Sequence, residues 1–235
     1  MAGIDAVILC GGLGTRLRER VSDRPKALAP VGGRPFLDII VEDLLRQGFR
    51  RVIFCVGHLK EQIIARYRAR HDGEFMFSQE DMPLGTGGAL RKALTLIRSD
   101  PILVMNGDSF CRVEFDKLYK CHLDRSAAAT LVLTPPEERR DGGMVRLNEA
   151  HQILSFAEKP DNTAPRCFIN AGIYLLNPEV LGLASLMPPF SLERDVFQTL
   201  VVTQACFGYV VDSPLVDIGT PERYREADEN RYRNR

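Results

Sequence analysis

The chain of 235 residues is long enough for one large α/β domain or two small ones, either of which could bury most of its apolar surface. Hydrophobic residues make up 45% and charged residues 26%, which is typical of a folded globular protein and argues against long disorder. Lys and Arg total 31, as do Asp and Glu, so there is no global basic field for nucleic-acid binding.

The six cysteines are scattered and form no C-x-x-C pair, which disfavours a zinc site or a redox motif. No apolar stretch approaches the roughly 20 residues that span a bilayer. Residues 4–10 contain Asp5 and lack the basic leader of a signal peptide. We therefore expect a cytoplasmic protein that binds neither nucleic acid nor a membrane.

The first predicted element is "AVILC" at residues 6–10, a continuous apolar run that ends at Gly11 and is typical of a strand buried on both faces. A helix is predicted at residues 36–45, between Pro35 and Gly48. Strands and helices then alternate: strand 51–57, helix 59–70, strand 75–79, helix 88–97 and strand 101–108. This alternation predicts βαβ units in a mainly parallel sheet.

After about residue 125 the pattern changes to apolar segments with little helix between them, which predicts antiparallel pairing: 127–134, 143–147, 153–159 and 168–176. Helices are predicted again at 178–186, 192–201 and 221–232. No repeat or linker separates the halves. We expect one Rossmann-like three-layer α/β/α domain over residues 1–235, with lobes of about 1–125 and 126–235 and ligands bound between them at the strands' carboxyl ends.

Glycines directly follow the first strand, at Gly11, Gly12 and Gly14. Without side chains, backbone N–H groups can approach and surround an anion such as phosphate, although a simple tight turn is an equal alternative. The G-x-G-x-x-G fingerprint is incomplete because Leu17 stands in its third position, and the G-K-[ST] ending of a Walker A loop is missing.

Basic residues surround these glycines, and most of them suit a solvated loop. Two differ, because Arg16 lies inside the glycine loop and Lys26 follows Pro25, whose ring restricts the backbone. Arg can clamp a polyphosphate bidentately, whereas Lys acts as a compact charge near a reacting phosphorus. We therefore predict that Arg16 and Lys26 contact phosphates.

The motif "GGLGTRL" at 11–17, followed by "RPKALAPVGGRPFLD" at 24–38, resembles the signature of sugar-1-phosphate nucleotidylyltransferases. The resemblance continues in the family's order over nearly the whole chain, with "PLGTGGAL" at 83–90, "NGD" at 106–108, "EKP" at 158–160, "NAGIY" at 170–174 and "VDIGTPERY" at 216–224. It implies a nucleotidyltransferase fold of the GT-A type with a mixed, mainly parallel sheet and no β-helix extension. It also implies Mg²⁺-dependent transfer of a nucleotidyl group from an NTP to a sugar 1-phosphate.

The resemblance assigns a role to each motif residue. Catalysis falls to Arg16, Lys26 and Asp108, and magnesium binding to Asp108 and Asp217. The nucleotide contacts are Leu9, Gly11, Gly12, Gly14, Thr15, Gln79, Pro83, Gly85 and Thr86, and the sugar contacts are Gly143, Glu158, Lys159, Asn170 and Gly172.

The residues alone leave alternatives open at several of these positions. An Asp after a strand, such as Asp108, often forms a turn, and Thr86 suits a helix N-cap. Without the family pattern, Glu158 and Lys159 would be exposed charges at a strand end. Gly142 replaces the aromatic residue that the family usually has before the glycine matched by Gly143.

Within the family, "PFSLERDVF" at 189–197 and "CFGYVVDSPLVDIGTPERY" at 206–224 are similar to guanylyltransferases that act on D-glycero-α-D-manno-heptose 1-phosphate. This similarity implies GTP, a heptose for a surface glycan and, by family, a homodimer. Mannose-1-phosphate guanylyl-, glucose-1-phosphate thymidylyl- and N-acetylmuramate-1-phosphate uridylyltransferases are alternative enzymes. From other classes, the alternatives are a catalytically silent binding module and a dinucleotide dehydrogenase, which the incomplete glycine fingerprint disfavours.

Overall fold

The computed structural model describes residues 1–12, 14, 17, 23–136, 143–157, 166–182, 187–203 and 205–229. Within these ranges the strands are β1 (Asp5–Leu9), β2 (Pro30–Val31), β3 (Arg34–Pro35), β4 (Arg51–Val56), β5 (Glu74–Gln79), β6 (Ile102–Asn106), β7 (Ser109–Phe110), β8 (Ala129–Thr134), β9 (Met144–Leu147), β10 (Ile153–Ala157), β11 (Cys167–Leu176), β12 (Cys206–Val210) and β13 (Val216–Asp217). The helices are α1 (Phe36–Arg46), α2 (Lys60–Arg68), α3 (Gly85–Ala93), α4 (Phe115–Asp124), α5 (Phe197–Val202) and α6 (Pro221–Glu229).

The central sheet has the strand order β12–β8–β11–β6–β1–β4–β5. Its strands run parallel except β11, which is antiparallel to both β6 and β8. The β9–β10 hairpin extends the sheet by pairing β9 with the first residues of β11. The prediction of a mixed, mainly parallel sheet is confirmed.

Both faces of the sheet are buried, which produces the three layers. Along β1, Ala6 and Ile8 belong to the apolar cluster that contains Phe36 of α1, whereas Val7 belongs to the cluster that contains Leu90 of α3. Successive side chains of a strand point to opposite faces, so a strand covered on both sides must be apolar throughout. This explains the continuous run "AVILC".

Several elements differ from the sequence-based expectation. Helix α4 and strand β12 were not predicted, and α3 begins at Gly85 rather than Gly88. The segment expected to be helical from 178 forms only a 3₁₀ turn over Pro178–Leu181, and residues 183–186 lie outside the described chain. A π-helical turn, Leu192–Val196, precedes α5.

Two further expectations concern membrane spans and thiols. Among the described residues, no helix combines the length and the apolar character that crossing a bilayer requires. All six cysteines are free thiols, and four of them are buried, in agreement with their positions in apolar runs.

Helix α4 is tied to the sheet through a buried histidine. His122 is 2% exposed, and its two ring nitrogens lie 2.9 Å from Thr130 Oγ1 and 3.0 Å from Asn177 Oδ1. Burial lowers the pKa of His122, against the opposing effects of Asn177 and Asp100. The folded protein therefore keeps this ring neutral in conditions where an exposed histidine takes up a proton.

We predict that His122→Gln flattens the pH dependence of stability on the acid side. Below the usual histidine pKa of about 6.5, the unfolded chain binds a proton that the folded chain does not. The folded protein therefore becomes less stable as the pH is lowered. Urea denaturation between pH 7.5 and pH 5.5 should show a smaller loss in His122→Gln than in the wild type. His71→Gln, at an exposed position, is the matched control and should keep the wild-type slope; equal slopes in all three proteins would contradict the prediction.

Candidate active site

A cavity of about 420 Å³ opens at the carboxyl edge of the sheet, where β1, β5 and β6 end. This edge is where open α/β sheets bind ligands. The first turn of α3 (residues 85–88), named here the α3 wall, bounds one side. The predicted site residues that line the cavity are Leu9, Gly11, Gly12, Gly14, Lys26, Pro83, Gly85, Thr86 and Asp108.

The glycine loop lies against Lys26. Gly14 has φ 59°, a left-handed conformation that favours glycine, and a Cβ there would lie 3.4 Å from Cβ of Lys26. Leu17 is 1% exposed, and its N–H donates to the Gly14 carbonyl at 2.9 Å, so the position that breaks the dinucleotide fingerprint anchors the loop in the core. Thr15 and Arg16 lie outside the described residues.

Lys26 and Asp108 form an ion pair at the cavity, with 2.6 Å between Nζ and Oδ2. Lys26 begins a 3₁₀ turn directly after Pro25, and Asp108 follows the end of β6. Their side chains are 17% and 36% exposed, so both remain accessible to a ligand. The Ser109 hydroxyl donates to Asp108 Oδ1 at 3.2 Å.

Asp217 is brought beside Asp108 by the pairing of β13 with β7, in which Asp217 lies opposite Ser109. The Ile218 N–H donates to the Asp108 carbonyl at 3.0 Å and holds the two segments together. Asp217 accepts from the Gly219 N–H and, at 3.1 Å, from Nη1 of Arg223. Sequence analysis missed Arg223, although it belongs to "VDIGTPERY".

The donor chemistry of Asp108 and Asp217 fits a magnesium ion. Mg²⁺ prefers one or two carboxylates and completes its coordination with substrate oxygens and water. Asp108 lines the cavity, and Asp217, which is not part of the lining, comes from the segment paired beside it. Among the described residues, no group of three or more His, Cys, Asp or Glu could hold a metal.

Glu80 lines the cavity, and sequence analysis missed it. Gln79, the predicted base contact, ends β5 with an exposed side chain and is not part of the lining, because alternate residues of a strand face opposite sides. Glu80 Oε2 accepts the Leu84 N–H at 3.1 Å, and a side chain at Gly11 would overlap Oε1. Burial raises the pKa of Glu80, opposed by the Leu84 N–H and by Lys92.

The α3 wall is fixed by the segment that precedes the π-helical turn. The Phe190 carbonyl accepts from the N–H groups of Gly87 and Gly88, at 3.0 and 3.4 Å. Thr86 does not cap α3: its hydroxyl donates to Glu193 at 3.0 Å and accepts the Leu192 N–H at 2.9 Å. The N-cap alternative for Thr86 is therefore wrong, because its hydroxyl connects two segments instead.

The predicted sugar contacts that the structure describes lie on β11 and next to β9. The Asn170 N–H donates to the Gly143 carbonyl at 3.0 Å. Gly172 has φ 72°, and a Cβ there would lie 2.6 Å from Nδ2 of Asn106, which lines the cavity. The structure thus places Gly143 next to Asn170 and Gly172 next to the cavity-lining Asn106, although none of the three predicted residues is itself part of the lining. Glu158 and Lys159 lie outside the described residues.

Comparisons with known proteins identify the family. Residues 5–233 match the family model described as nucleotidyl transferase, and the chain belongs to that family. It is a sugar-1-phosphate nucleotidyltransferase.

Individual relatives are similar to this chain over nearly its whole length. The chain is 35% identical over 225 residues to D-glycero-α-D-manno-heptose 1-phosphate guanylyltransferase of Aneurinibacillus thermoaerophilus, covering 95% of this chain and 96% of the relative. The protein of that name from Campylobacter jejuni is 35% identical over 224 residues, covering 94% of this chain and 97% of the relative. HddC from Yersinia pseudotuberculosis superposes with a TM-score of 0.84 at 30% identity, covering 97% and 99% of the two chains, and it has also been solved with GMP-PN.

We predict that Gly85→Ala destabilises the protein by about 1–3 kcal/mol, the usual cost of a strained backbone position. Gly85 has φ 75°, and a side chain there would overlap the Phe190 carbonyl that holds the α3 wall. Urea denaturation measures the change. Gly3→Ala, where an added methyl meets no atom within 4 Å, is the control; equal stability of the two variants would rule the prediction out.

Proposed function

We propose that this enzyme transfers GMP from GTP to D-glycero-α-D-manno-heptose 1-phosphate, releasing pyrophosphate and forming a GDP-sugar for a surface glycan. The convergence of Lys26, Asp108 and Asp217 at the carboxyl edge of the sheet carries the proposal of nucleotidyl transfer. The heptose assignment is supported by the two guanylyltransferases that share 35% identity with nearly the whole chain. The proposal includes a nucleotide lobe of about 1–125 and a sugar lobe of about 126–235.

The reaction requires no protein base. A phosphate oxygen of the sugar 1-phosphate attacks the α-phosphorus of GTP, and the electron pair of the bond to the bridging oxygen leaves with pyrophosphate. Because the nucleophile is already an anion, the protein's contribution is positioning and charge stabilisation. Lys26 is placed to stabilise charge at the α-phosphate, and Arg16, outside the described residues, is proposed to hold the pyrophosphate part.

Magnesium is the proposed cofactor, held by Asp108 and Asp217. When bound, it supplies positive charge to the phosphate oxygens as a Lewis acid. Lys26 and Arg223 each contact one of the two carboxylates and fix its orientation. The chain's own residues thus define where the metal and the reacting phosphates would meet.

Glu80 supports the choice of GTP. Guanine presents an N1–H and an exocyclic N2 amine side by side, and a carboxylate can accept from both. Among the described residues Oε1 of Glu80 has no hydrogen-bond donor, and Oε2 accepts only the Leu84 N–H. A buried carboxylate in a cavity gains from a ligand that donates. Uracil, thymine, cytosine and adenine each lack this pair of adjacent donors.

The substrate assignment predicts metal-dependent pyrophosphate release for one pair of substrates. GTP, CTP, UTP, dTTP and ATP would be tested against heptose, mannose, glucose and N-acetylated sugar 1-phosphates, with Mg²⁺ and with EDTA. GTP with D-glycero-α-D-manno-heptose 1-phosphate should give the strongest signal, and EDTA should abolish it. A preferred pair with another sugar would refute the heptose, and silence of the folded protein with every pair would refute the enzymatic proposal.

Lys26→Met should lower kcat by about 100-fold or more, the scale for removing one group that stabilises a developing charge. Lys117→Met is the matched control, because Lys117 forms an ion pair with Glu114 at 2.8 Å but lies on the surface of α4. Both substitutions remove a lysine from an ion pair, and only Lys26→Met should slow turnover. Equal rates in the two variants would remove Lys26 from the reaction.

Glu80→Gln should lower kcat/KM for GTP by about 10- to 100-fold, because a two-bond contact with a base contributes about 1–3 kcal/mol to discrimination. Two further nucleotides isolate the contact: ITP lacks the N2 amine, and XTP has a carbonyl in its place. Wild type should prefer GTP over ITP, and Glu80→Gln should lose that preference and gain activity with XTP through its amide N–H. Glu149→Gln, at an exposed position, is the control; an unchanged GTP/ITP ratio in Glu80→Gln would contradict guanine recognition by Glu80.

A further inference from the structure

The Glu193 carboxylate lies between the α3 wall and β11 and accepts from hydroxyl groups on both sides. Thr86 Oγ1 and Ser191 Oγ donate to Oε2 at 3.0 and 2.7 Å, and the Tyr174 hydroxyl donates to Oε1 at 3.0 Å. Among the described residues no Lys or Arg pairs with this carboxylate. Glu193 lies in "PFSLERDVF", a motif to which the proposed reaction assigns no role.

The charge of Glu193 fixes the direction of every hydrogen bond around it. A carboxylate only accepts, so the Tyr174 hydroxyl must donate to it. The Tyr174 oxygen is then free to accept from Asn170 Nδ2, which lies 3.0 Å away. Because Nδ2 of Asn170 points to Tyr174, its Oδ1 points to the Gly172 N–H and accepts from it at 2.9 Å. The orientation of the Asn170 side chain therefore depends on a carboxylate that it does not touch.

Burial keeps the Tyr174 phenol protonated, so that it remains the donor to Glu193. Tyr174 has no exposed surface and packs against the ring of Phe197, with centroids 5.0 Å apart. Burial, with the nearby Glu193 charge, raises the pKa of Tyr174 well above its usual range, so the phenol stays protonated and remains a donor.

On the other side, Glu193 fixes the α3 wall. Because Thr86 donates to the carboxylate, its oxygen is free to accept the Leu192 N–H at 2.9 Å. The same charged group therefore orients a hydroxyl on the nucleotide side of the cavity and an amide on the proposed sugar side.

Local helix capping does not require the Glu193 carboxylate. The Ser191 hydroxyl accepts the N–H groups of Glu193 and Arg194, and Asp195 Oδ2 accepts the Ser191 N–H at 2.6 Å. These bonds cap the turn Leu192–Val196 on their own. The contacts of the carboxylate to Thr86 and Tyr174 go beyond this capping.

We propose that Glu193 is a positioning residue that sets the orientation of Asn170 for the sugar phosphate, through Tyr174, while it holds Thr86 on the α3 wall. The inference rests on the proposed function for its assignment of Asn170 to the sugar side. It requires that the charge of Glu193, rather than its size, keeps the hydrogen bonds in one direction.

Glu193→Gln tests this requirement, because glutamine keeps the size of the side chain but offers one acceptor oxygen and one amide NH₂ donor. With its oxygen turned to the donors Thr86 and Ser191, its amide NH₂ donates to Tyr174. The phenol proton then turns towards Asn170 Nδ2, and Asn170 loses its acceptor. The KM for the sugar phosphate should rise about tenfold, the scale of one misplaced hydrogen bond to a substrate, while the KM for the NTP stays within about twofold.

Tyr174→Phe removes the link between Glu193 and Asn170 and should raise the sugar-phosphate KM to a similar extent. The double variant Glu193→Gln/Tyr174→Phe should be no worse than the single ones, since both interrupt one connection. Glu179→Gln, at an exposed position, is the control for the substitution. A purely structural role for Glu193 predicts instead that both KM values change together and that the two substitutions add.

A substrate-free measurement separates this inference from the proposed function. The Asn170 side-chain amide resonances, assigned with Asn170→Asp, should shift in both Glu193→Gln and Tyr174→Phe and remain in place in Glu179→Gln. Unmoved resonances, or an unchanged sugar-phosphate KM in an active enzyme, would overturn the inference. If wild type turns over no substrate pair, the proposed function fails, and the resonances still decide whether Glu193 orients Asn170.

Discussion

The site depends on the short antiparallel pairing of β7 with β13. This contact brings the segment with Asp217 to the carboxyl edge of the sheet, directly beside Asp108. Helix α6, which follows, is anchored on β2 and the turn after it. The Tyr224 hydroxyl donates to the Pro30 carbonyl at 2.8 Å, and Asp228 accepts the Gly32 N–H at 2.9 Å. The C-terminal segment is thus a structural part of the site, because the position of one carboxylate depends on it.

The elements predicted best are those whose burial is indicated by a few consecutive apolar residues. β1, β4 and β6 are continuous apolar runs because helices cover both faces of the sheet. Helix α4 was missed, since its buried face includes His122, which has no apolar signature and is satisfied only by Thr130 and Asn177 on other elements. The adjacency of Asp108 and Asp217 could not be derived either, because no local pattern reports a pairing between such distant segments.

Glu80 and Gln79 differ in a way that strand alternation can indicate. The resemblance pointed to Gln79, whose side chain is exposed, whereas Ser78 and Glu80 on either side are buried and Glu80 lines the cavity. The role of Glu193 could not be predicted in this way. Its sequence context is typical of an exposed helical turn, and its hydrogen bonds form only when Thr86 and Tyr174 approach from two other elements. Residues that connect elements need the folded chain to be recognised.

The charges around the cavity also bear on the metal. Lys26 and Arg223 provide two cations, whereas Asp108, Asp217 and Glu80 provide three carboxyl groups. These five groups together give a triphosphate no net attraction, and each cation already contacts a carboxylate. In the proposed reaction, the positive charge that the phosphates require would therefore come from backbone N–H groups and from an added cation. A pair of carboxylates beside a phosphate site is unfavourable without such a cation, which is the physical reason to place magnesium there.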